Sequence, residues 1–365
     1  MKEYYIGLLS GTSVDAIDAA IISIENNKIK LHATHEQPFS GEVQGKIQKI
    51  IKSQAASFQL ICEVDSLLAF EFAQAVSILL NKSKIKNAHI KAIGSHGQTV
   101  FHEPNGNHTA SIQLGSAHKI AAMTHINVVY NFRQMDMALG GQGAPLAPLL
   151  HSKLFYNNNK NTAVINLGGI ANISFIGRDY DQVIGYDIGP ANCLIDEWIN
   201  IHKQLPYDEN GSWARQGRLN SILLAQMLED NYFAKAHPKS TGREHFNRQW
   251  YNNFTEEFKK TSAVDIQTTL THLIAASIER EMTGKSIDNI VIMGGGSKND
   301  FILELIHQYT GLETTISNDF GYDADWIEAI LFAYLAHKRI NKEKINLTSI
   351  TGSSKKLLVG DLVAI

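Results

Sequence analysis

Three groups of residues in this sequence have the type and setting to do chemistry. Asp187, in GYDIGPAN, is a carboxylate at the end of an expected strand, and Gly189-Pro190 fixes the turn after it. A carboxylate held in this way can take a proton from an attacking hydroxyl or water. It can equally be the N-terminal Asp of a helix or a turn former. The second group is three glycine turns: Gly11-Thr12-Ser13, with Ser10 before it and Asp15 and Asp18 after it; Gly168-Gly169 in NLGGIAN, beside Asn166 and Asn172; and Gly294-Gly295-Gly296 after a strand. The backbone N–H groups of a tight turn form a nest for an anion, and hydroxyls add donors. At 294–296 the missing side chains would let a purine or ribose lie against the backbone. No Gly-Lys-Ser/Thr follows any of them and no Gly-x-Gly-x-x-Gly is spelled, so each alone also reads as a plain turn. The third is Glu328, a charge in an otherwise apolar helix, which calls for a partner, a cleft or exposure at the helix start. Asp18 can also simply point out of a strand.

Metal chemistry has little support. The 15 histidines are scattered, the densest group being His96, His102, His108, His118 and His125. No His-Glu-x-x-His or Cys/His ligand spacing appears, so they read as surface and loop imidazoles.

The elements that must position these groups can be read from periodicity. Residues 4–10 predict a buried strand, 14–24 a second and 28–34 a third, a meander built on the Gly-Thr-Ser turn. Between 42 and 80 apolar residues recur at threes and fours, which predicts two amphipathic helices. A short strand at 90–94 leads into SHGQTVFHEP, followed by a strand near 110–113, a helix at 115–123, a strand at 126–130 and a polar, glycine-rich loop. A helix follows Ala144-Pro145. Near 162 the order begins again: strand, Gly-Gly turn, strand, then a third strand in DQVIGYDIG. Helices are expected at 192–202, 218–230, 247–259 and 265–283, strand 289–293, helix 298–309, strand 313–316, helix 324–337 and a terminal strand within 355–364. Strands alternating with helices in two similar halves predict an α/β fold with a duplicated core and a ligand cleft between the domains. The join is expected near 131, giving domains 1–131 and 132–354, with the tail 355–365 returning to the first.

Composition narrows the class. At 365 residues the chain is long enough for two domains. Lys and Arg number 33 against 36 Asp and Glu, a near-balance that argues against a dedicated nucleic-acid or acidic-membrane binder. Two cysteines, Cys62 and Cys193, make no disulfide framework. No stretch nears the ~20 apolar residues of a membrane helix, and the N-terminal apolar run is too short for a secretory signal. A soluble, cytoplasmic protein is expected.

At these same residues the chain resembles the anhydro-N-acetylmuramic acid kinase family. IGLLSGTSVDAID, GSHGQTVFH, NFRQMDMALGGQGAPLAP, INLGGIANI, GYDIGPAN, PKSTGRE, MGGGSKN and DADWIEAILFAYLA occur in family order from residue 6 to about 337. The resemblance implies two actin-like (ribonuclease H-like) domains, ATP with Mg²⁺, and phosphorylation of 1,6-anhydro-N-acetylmuramic acid coupled to opening of its anhydro ring by water. It implies that Gly11, Thr12, Ser13, Val14, Asp15, Ala16, Ile17 and Asp18 form the phosphate-binding loop. Gly168 and Gly169 would approach the phosphates, and Gly294, Gly295 and Gly296 would border the adenosine. Asp187 would activate the water. His96, Gln98, Thr99, Arg133 and Glu328 would line the sugar pocket, with Arg133 suited to the lactyl carboxylate. A homodimer is implied by the resemblance alone, and no metal ligand is identified.

The chain departs from the family pattern at Ala16 (usually Gly), at Asn131 (usually Asp) and at Ile188-Gly189-Pro190-Ala191 (usually Thr-Gly-Pro-Gly). The superfamily's metal-holding aspartate is replaced by Leu9. These departures motivate two other readings: a kinase of the same fold acting on another sugar, and a non-catalytic paralogue that binds nucleotide or muropeptide fragments.

Overall fold

The structure, a computed structural model, describes residues 2–365 apart from 12–13, 54, 107, 180–182 and 238, with the backbone alone at 252, 255 and 256. It divides into two compact units, Met1–Leu150 with Trp326–Ile365, and His151–Asp325.

In the first unit β1 (Tyr4–Ser10), β2 (Ala16–Glu25) and β3 (Lys28–Pro38) form an antiparallel meander. α1 (Gly41–Ser53) and α2 (Phe58–Ser83) follow, the second opening where Ser57 Oγ accepts the Leu60 N–H at 3.2 Å. Then come β4 (Ile90–Glu103), β5 (Ala110–Leu114), α3 (Ala117–Thr124), β6 (Val128–Tyr130), α4 (Gln134–Ala138) and α5 (Ala147–Phe155), which crosses into the second unit. The expected short strand at 90–94 is a 14-residue strand. SHGQTVFHE continues it because Gln98 pairs with Ser10 of β1 and residues 98–103 form a ladder with β5.

The second unit holds β7 (Thr162–Leu167), β8 (Ile170–Ile176) and β9 (Val183–Pro190), again an antiparallel meander. It continues through α6 (Asn192–Lys203), α7 (Ser221–Leu228), α8 (Asn231–Ala234), α9 (Arg248–Tyr251), α10 (Thr255–Lys260), α11 (Ala263–Met282), β10 (Asn289–Met293), α12 (Asp300–Thr310) and β11 (Thr314–Ile316). The helix expected at 247–259 is interrupted by a 3₁₀ turn at Asn252–Phe254. The helix expected at 218–230 starts later, at Ser221, where Asn220 Oδ1 accepts the N–H groups of Ile222 and Leu223. α13 (Ile327–Ile340) and β12 (Asp361–Val363) return to the first unit.

Five strands of each sheet share one order, and the first sheet adds β12 and β5. One sheet reads β12-β6-β4-β1-β2-β3 with β5 also on β4, and the other reads β11-β10-β7-β8-β9. In each, a meander is extended by two strands parallel to its first strand. The duplicated actin-like α/β core expected from the sequence is therefore present. Each unit has its own apolar core, around Ile6, Leu8, Phe72 and Ile93 in one and Ile165, Ile173, Leu270 and Ile292 in the other.

The compact units do not meet at 131/132. Residues 132–150 and the stretch from 326 on belong with the first unit. Residues 132–150 are tied there by Arg133 to His96, Gln134 to the Ser111 carbonyl and Asp136 to Thr351, and the later stretch by α13, whose Ala329, Ala333 and Ala336 are fully buried. A Cβ on Gly7 of β1 would overlap the Ala329 carbonyl oxygen, and one on Gly94 of β4 would overlap that of Phe332. The helix thus seats backbone against backbone on the first sheet, which only glycine permits. The tail also returns there, through β12 pairing antiparallel with β6.

Candidate active site

In the second unit the pairing register sets Asn166, Asn172 and Asp187 side by side across β7, β8 and β9. Residues directly opposite one another in a sheet share a face, so these side chains make a polar row. All three are partly exposed in strands whose other positions are mostly buried.

The same register carries Met293 of β10 opposite Asn166, so the glycine turns after these parallel strands emerge as neighbours. Gly294 has φ 80°, and a Cβ there would overlap Asn166 Oδ1; a Cβ on Gly296 would lie 2.6 Å from Leu167 Cβ. Gly168 O accepts the Asn192 N–H, and Gly169 O accepts those of Ala191 and Cys193, each at 3.0 Å. The Gly-Gly turn is thereby closed onto the start of α6. Beside these turns lies a cavity of about 550 Å³ whose lining includes Asn192, Asp196, Tyr207, Gly295, Gly296 and Lys298. Burial pushes the Asp196 carboxyl up to about 6, with Arg243 pulling it down and Asp208 adding to the rise. Arg243 also lies over the turn, its NH2 3.2 Å from where a Gly169 Cβ would stand.

Asp187 is held by the segment that follows α8. Its N–H donates to Lys239 O at 3.2 Å, and its Oδ2 accepts the Thr241 N–H at 3.1 Å. Tyr232 Oη donates to its carbonyl at 2.8 Å. Burial pushes the Asp187 carboxyl up to about 6, the Thr241 hydrogen bond pulls it back and Glu244 adds to the rise. A carboxyl titrating near neutrality with one oxygen still uncommitted to Thr241 suits a general base.

In the first unit Thr12 and Ser13 lie outside the described residues. Around them, the N–H of Val14 reaches Gly11 O at 3.3 Å, Gln44 Nε2 donates to Val14 O at 2.8 Å, and Asp15 Oδ1 accepts the Ala16 N–H at 2.9 Å. Val14 sits at φ 56°, a conformation a β-branched residue rarely adopts. Ala16, Ile17 and Asp18 are in β2, not in the turn. Ile17 is fully buried, so its side chain serves the core and only its backbone could face a phosphate. Asp18 stands opposite Leu9.

Gln98 is expected among sugar-pocket residues, yet its amide is committed within the protein. Ser10 Oγ donates to its Oε1 at 2.5 Å, and its Nε2 donates to Gly11 O and Thr99 O at 3.2 Å. It ties the glycine turn to β4. Thr99 Oγ1 accepts from Gln113 Nε2 at 3.2 Å.

His96 and Arg133 are brought together. Arg133 donates through Nε and NH2 to His96 Nε2, at 3.1 and 2.9 Å, and through NH1 to Gly143 O at 2.7 Å. Burial and the Arg133 charge hold His96 well below its ordinary pKa. Burial also lowers Arg133, while Glu328 and Asp136 raise it. Glu328, in the first turn of α13, keeps solvent access; desolvation by the surrounding protein raises its carboxyl and Arg133 opposes the rise.

The glycine-rich run after Arg133 wraps one buried carboxylate. Asp136 Oδ2 accepts the Gly143 N–H at 2.8 Å, and its Oδ1 accepts from Thr351 Oγ1 at 2.7 Å. Gly143, at φ 72°, thereby presents its carbonyl to Arg133. Asp136, Lys239, Arg243 and Asp196 escape a motif-by-motif reading. The signal for the first two was burial of a charge, which a linear pattern does not show.

Three of the departures from the family pattern, Ile188, Ala191 and Asn131, face inward or into the protein's own contacts. Ile188 is fully buried and Ala191 nearly so. Ile188 falls at the β-bulge where β9 skips one residue against β8, and its side chain belongs to the apolar core of the second unit. Asn131 has φ 55° and donates through Nδ2 to Asp361 Oδ2 at 2.9 Å. Among the described residues no group of three or more His, Cys, Asp and Glu gathers that could hold a metal ion. No described helix is long and apolar enough to cross a membrane.

A family model described as anhydro-N-acetylmuramic acid kinase matches residues 3–364. Relatives carrying that name are 43% identical over 360 residues in Sulfurovum sp. (strain NBC37-1), covering 98% of both chains, and 41% identical over 364 residues in Coxiella burnetii (strain Dugway 5J108-111), covering 98% and 97%. One from Aliivibrio fischeri (strain ATCC 700601 / ES114) is 40% identical over 98% of each chain. Among solved structures, a ROK family glucokinase from Streptomyces griseus in complex with glucose and AMPPNP is 11% identical, with TM-score 0.40 over 92% of this chain and 99% of its own. The (R)-2-hydroxyglutaryl-CoA dehydratase component A of Acidaminococcus fermentans is 12% identical, with TM-score 0.47 over 93% and 99%.

Proposed function

Because the chain belongs to the anhydro-N-acetylmuramic acid kinase family, we propose that it phosphorylates 1,6-anhydro-N-acetylmuramic acid with ATP while water opens the anhydro ring. The products are N-acetylmuramic acid 6-phosphate and ADP. The observation that carries this reading is Asp187: a carboxyl pushed up to about 6 by burial and steadied by the Thr241 N–H.

The chemistry asks for such a group. As the C1–O6 bond breaks, C1 gains oxocarbenium character and water must add there and lose a proton. Asp187 receives that proton, the new C1–O bond forms, and O6 takes the electron pair of the broken bond. O6 then attacks the γ-phosphorus as the bond to ADP breaks. Little covalent work remains for the protein, so the rest is positioning and charge stabilisation. Arg133, oriented by His96 and Gly143, suits the lactyl carboxylate of the sugar. The neighbouring glycine turns at 168–169 and 294–296, with the cavity beside them, have the shape and backbone access that a nucleotide requires.

Mg²⁺ enters with ATP in this reading and balances phosphate charge when bound. The cytoplasm, where ATP is found, and a homodimer are parts of the same proposal. The Asn131 and Ile188 departures are taken up by contacts inside the protein, which gives no ground for a different sugar.

Purified protein incubated with Mg²⁺-ATP and the anhydro sugar should yield a product that has gained one phosphoryl group and one water by mass. A phosphorylated product that keeps its anhydro ring, or no product, would overturn the reading.

A further inference from the structure

PKSTGRE is among the most distinctive runs in the sequence, yet the reaction above assigns its lysine nothing. In the structure Lys239 is almost completely buried, with its Nζ 2.6 Å from Glu281 Oε1 of α11. Tyr186 Oη donates to the other oxygen, Glu281 Oε2, at 2.8 Å. The ammonium lies 5.1 Å from the Tyr232 ring centroid and 5.7 Å from that of Tyr186. Four side chains from four segments therefore meet around one buried charge pair. A buried pair is weak support for stability, since its desolvation cost offsets most of its attraction. What it supplies well is a defined geometry.

That geometry converges on Asp187. The backbone carbonyl of Lys239 accepts the Asp187 N–H, the N–H of Thr241, two residues on, donates to the Asp187 carboxylate, and Tyr232, whose ring covers the lysine, donates to the Asp187 carbonyl. Tyr186, bonded to Glu281, precedes Asp187 in β9. The first two of these hydrogen bonds, from the Asp187 N–H and to its carboxylate, depend directly on where residues 239–241 are pinned.

We infer that Lys239 and Glu281 are positioning residues: their buried ion pair clamps residues 239–241 onto β9 so that Asp187 is held at the place and in the surroundings its proton transfer requires. The inference rests on the reading of Asp187 as the base. The groups that act electrostatically with Asp187 are Glu244, beyond the clamped segment, and Tyr232 on α8; Lys239, Glu281 and Tyr186 form the adjoining cluster, and β8 contributes the uncharged Asn172. Glu244 raises the carboxyl, burial raises it more, and the Thr241 hydrogen bond opposes both. Releasing the clamp loses that hydrogen bond but also admits water, and because burial is the largest cause the carboxyl moves back toward the ordinary range.

The test uses the full-length protein with Glu281→Gln, which keeps one acceptor oxygen for Lys239, offers Tyr186 Oη an N–H to accept and removes the charge, alongside Lys239→Met and the conservative Lys239→Arg. Glu281→Gln and Lys239→Met should lower kcat by about 10- to 100-fold with the KM for ATP within about twofold of the parent. The acid limb of the kcat–pH profile should move down from near 6, and Lys239→Arg should restore much of kcat. A lowered melting temperature with kcat and the acid limb unchanged would mean the pair is only structural and would overturn the inference. If Lys239→Met fails to fold, Glu281→Gln carries the same reading. A second measurement needs no turnover: the Asp187 carboxyl titrated by ¹³C NMR in aspartate-labelled protein, assigned against Asp187→Asn. Its midpoint should fall in Glu281→Gln. An unmoved midpoint overturns the clamp, whereas a moved midpoint in a protein that does not phosphorylate the sugar leaves the clamp and removes the proposed reaction.

Discussion

Arg133 donates two hydrogen bonds to the single ring nitrogen His96 Nε2, at 3.1 and 2.9 Å. A protonated His96 could not accept them, so the imidazole is neutral and its proton sits on Nδ1, 3.0 Å from Gly97 O. With NH1 bound to Gly143 O, the guanidinium plane is fixed before any ligand arrives. Arg133→Lys, whose ammonium has no planar fork, should raise the KM for the anhydro sugar by about 10- to 100-fold, with a smaller change in kcat. Steady-state kinetics on the sugar and on its lactyl amide check this: the variant should lose most of the parent's preference for the free carboxylate.

Asp187→Asn should abolish turnover, by at least about 100-fold, while ATP binding by calorimetry stays close to the parent. Substantial residual turnover would remove Asp187 from the role of base.

The pH dependence of stability follows from the same carboxyl. Its folded pKa, about 6, lies above the ordinary carboxylate value, so the folded state binds this proton more tightly than the unfolded one. The contribution is fully present at low pH, below the unfolded pKa, and is lost as pH rises through about 6. At pH 7 the ionised, buried carboxylate then costs roughly 2 to 3 kcal/mol. Thermal melts should find Asp187→Asn at least as stable as the parent at pH 7, with the advantage shrinking below about pH 5. In activity the sign is opposite: the base must be ionised, so kcat should rise with pH through about 6.

Gly94→Ala would drive a methyl group into the Phe332 carbonyl of α13. The helix must shift, which should lower stability by about 1–3 kcal/mol or more in denaturant unfolding. Because Glu328 rides on the first turn of that helix, the sugar KM should rise as well. A destabilised variant with an unchanged KM would separate Glu328 from sugar binding.

Asn131→Asp, the residue the family pattern usually carries, would set a second carboxylate against Asp361. The site is exposed, so the loss should be modest, about 0.5 kcal/mol, smaller in high salt and relieved by Asp361→Asn. Sugar kinetics should not change. A shift in sugar preference would instead make position 131 a specificity residue.

Much of the fold could be read in the linear order. Two strand–glycine turn–strand patterns announced the meanders, and strands alternating with helices announced α/β layers. Three boundaries were not legible. SHGQTVFHE carries many polar residues yet extends β4, because a neighbouring strand on each side takes up its backbone groups. The helix expected from 247 breaks at Asn252, where apolar spacing says nothing about the 3₁₀ turn. The join between units moves from 131 to 150 because Arg133, Gln134 and Asp136 bond to His96, Ser111 and Thr351 of the first unit, the last a contact 215 positions apart.

Sequence alone determined the chemistry available here: a carboxylate after a strand, glycine turns that admit phosphates, an arginine suited to a carboxylate. Those are properties of residue type and local spacing, and they are legible wherever they stand. Tertiary structure decided which of them are free to act. It spent the Gln98 amide on the Gly11 turn, turned Ile17 and Ile188 into the core, bound Asn131 to Asp361 and folded the unassigned Lys239 onto Glu281 behind Asp187. Burial and hydrogen-bond partnership, which raise a carboxyl or commit an amide, are set by residues distant in the chain, so no local pattern encodes them.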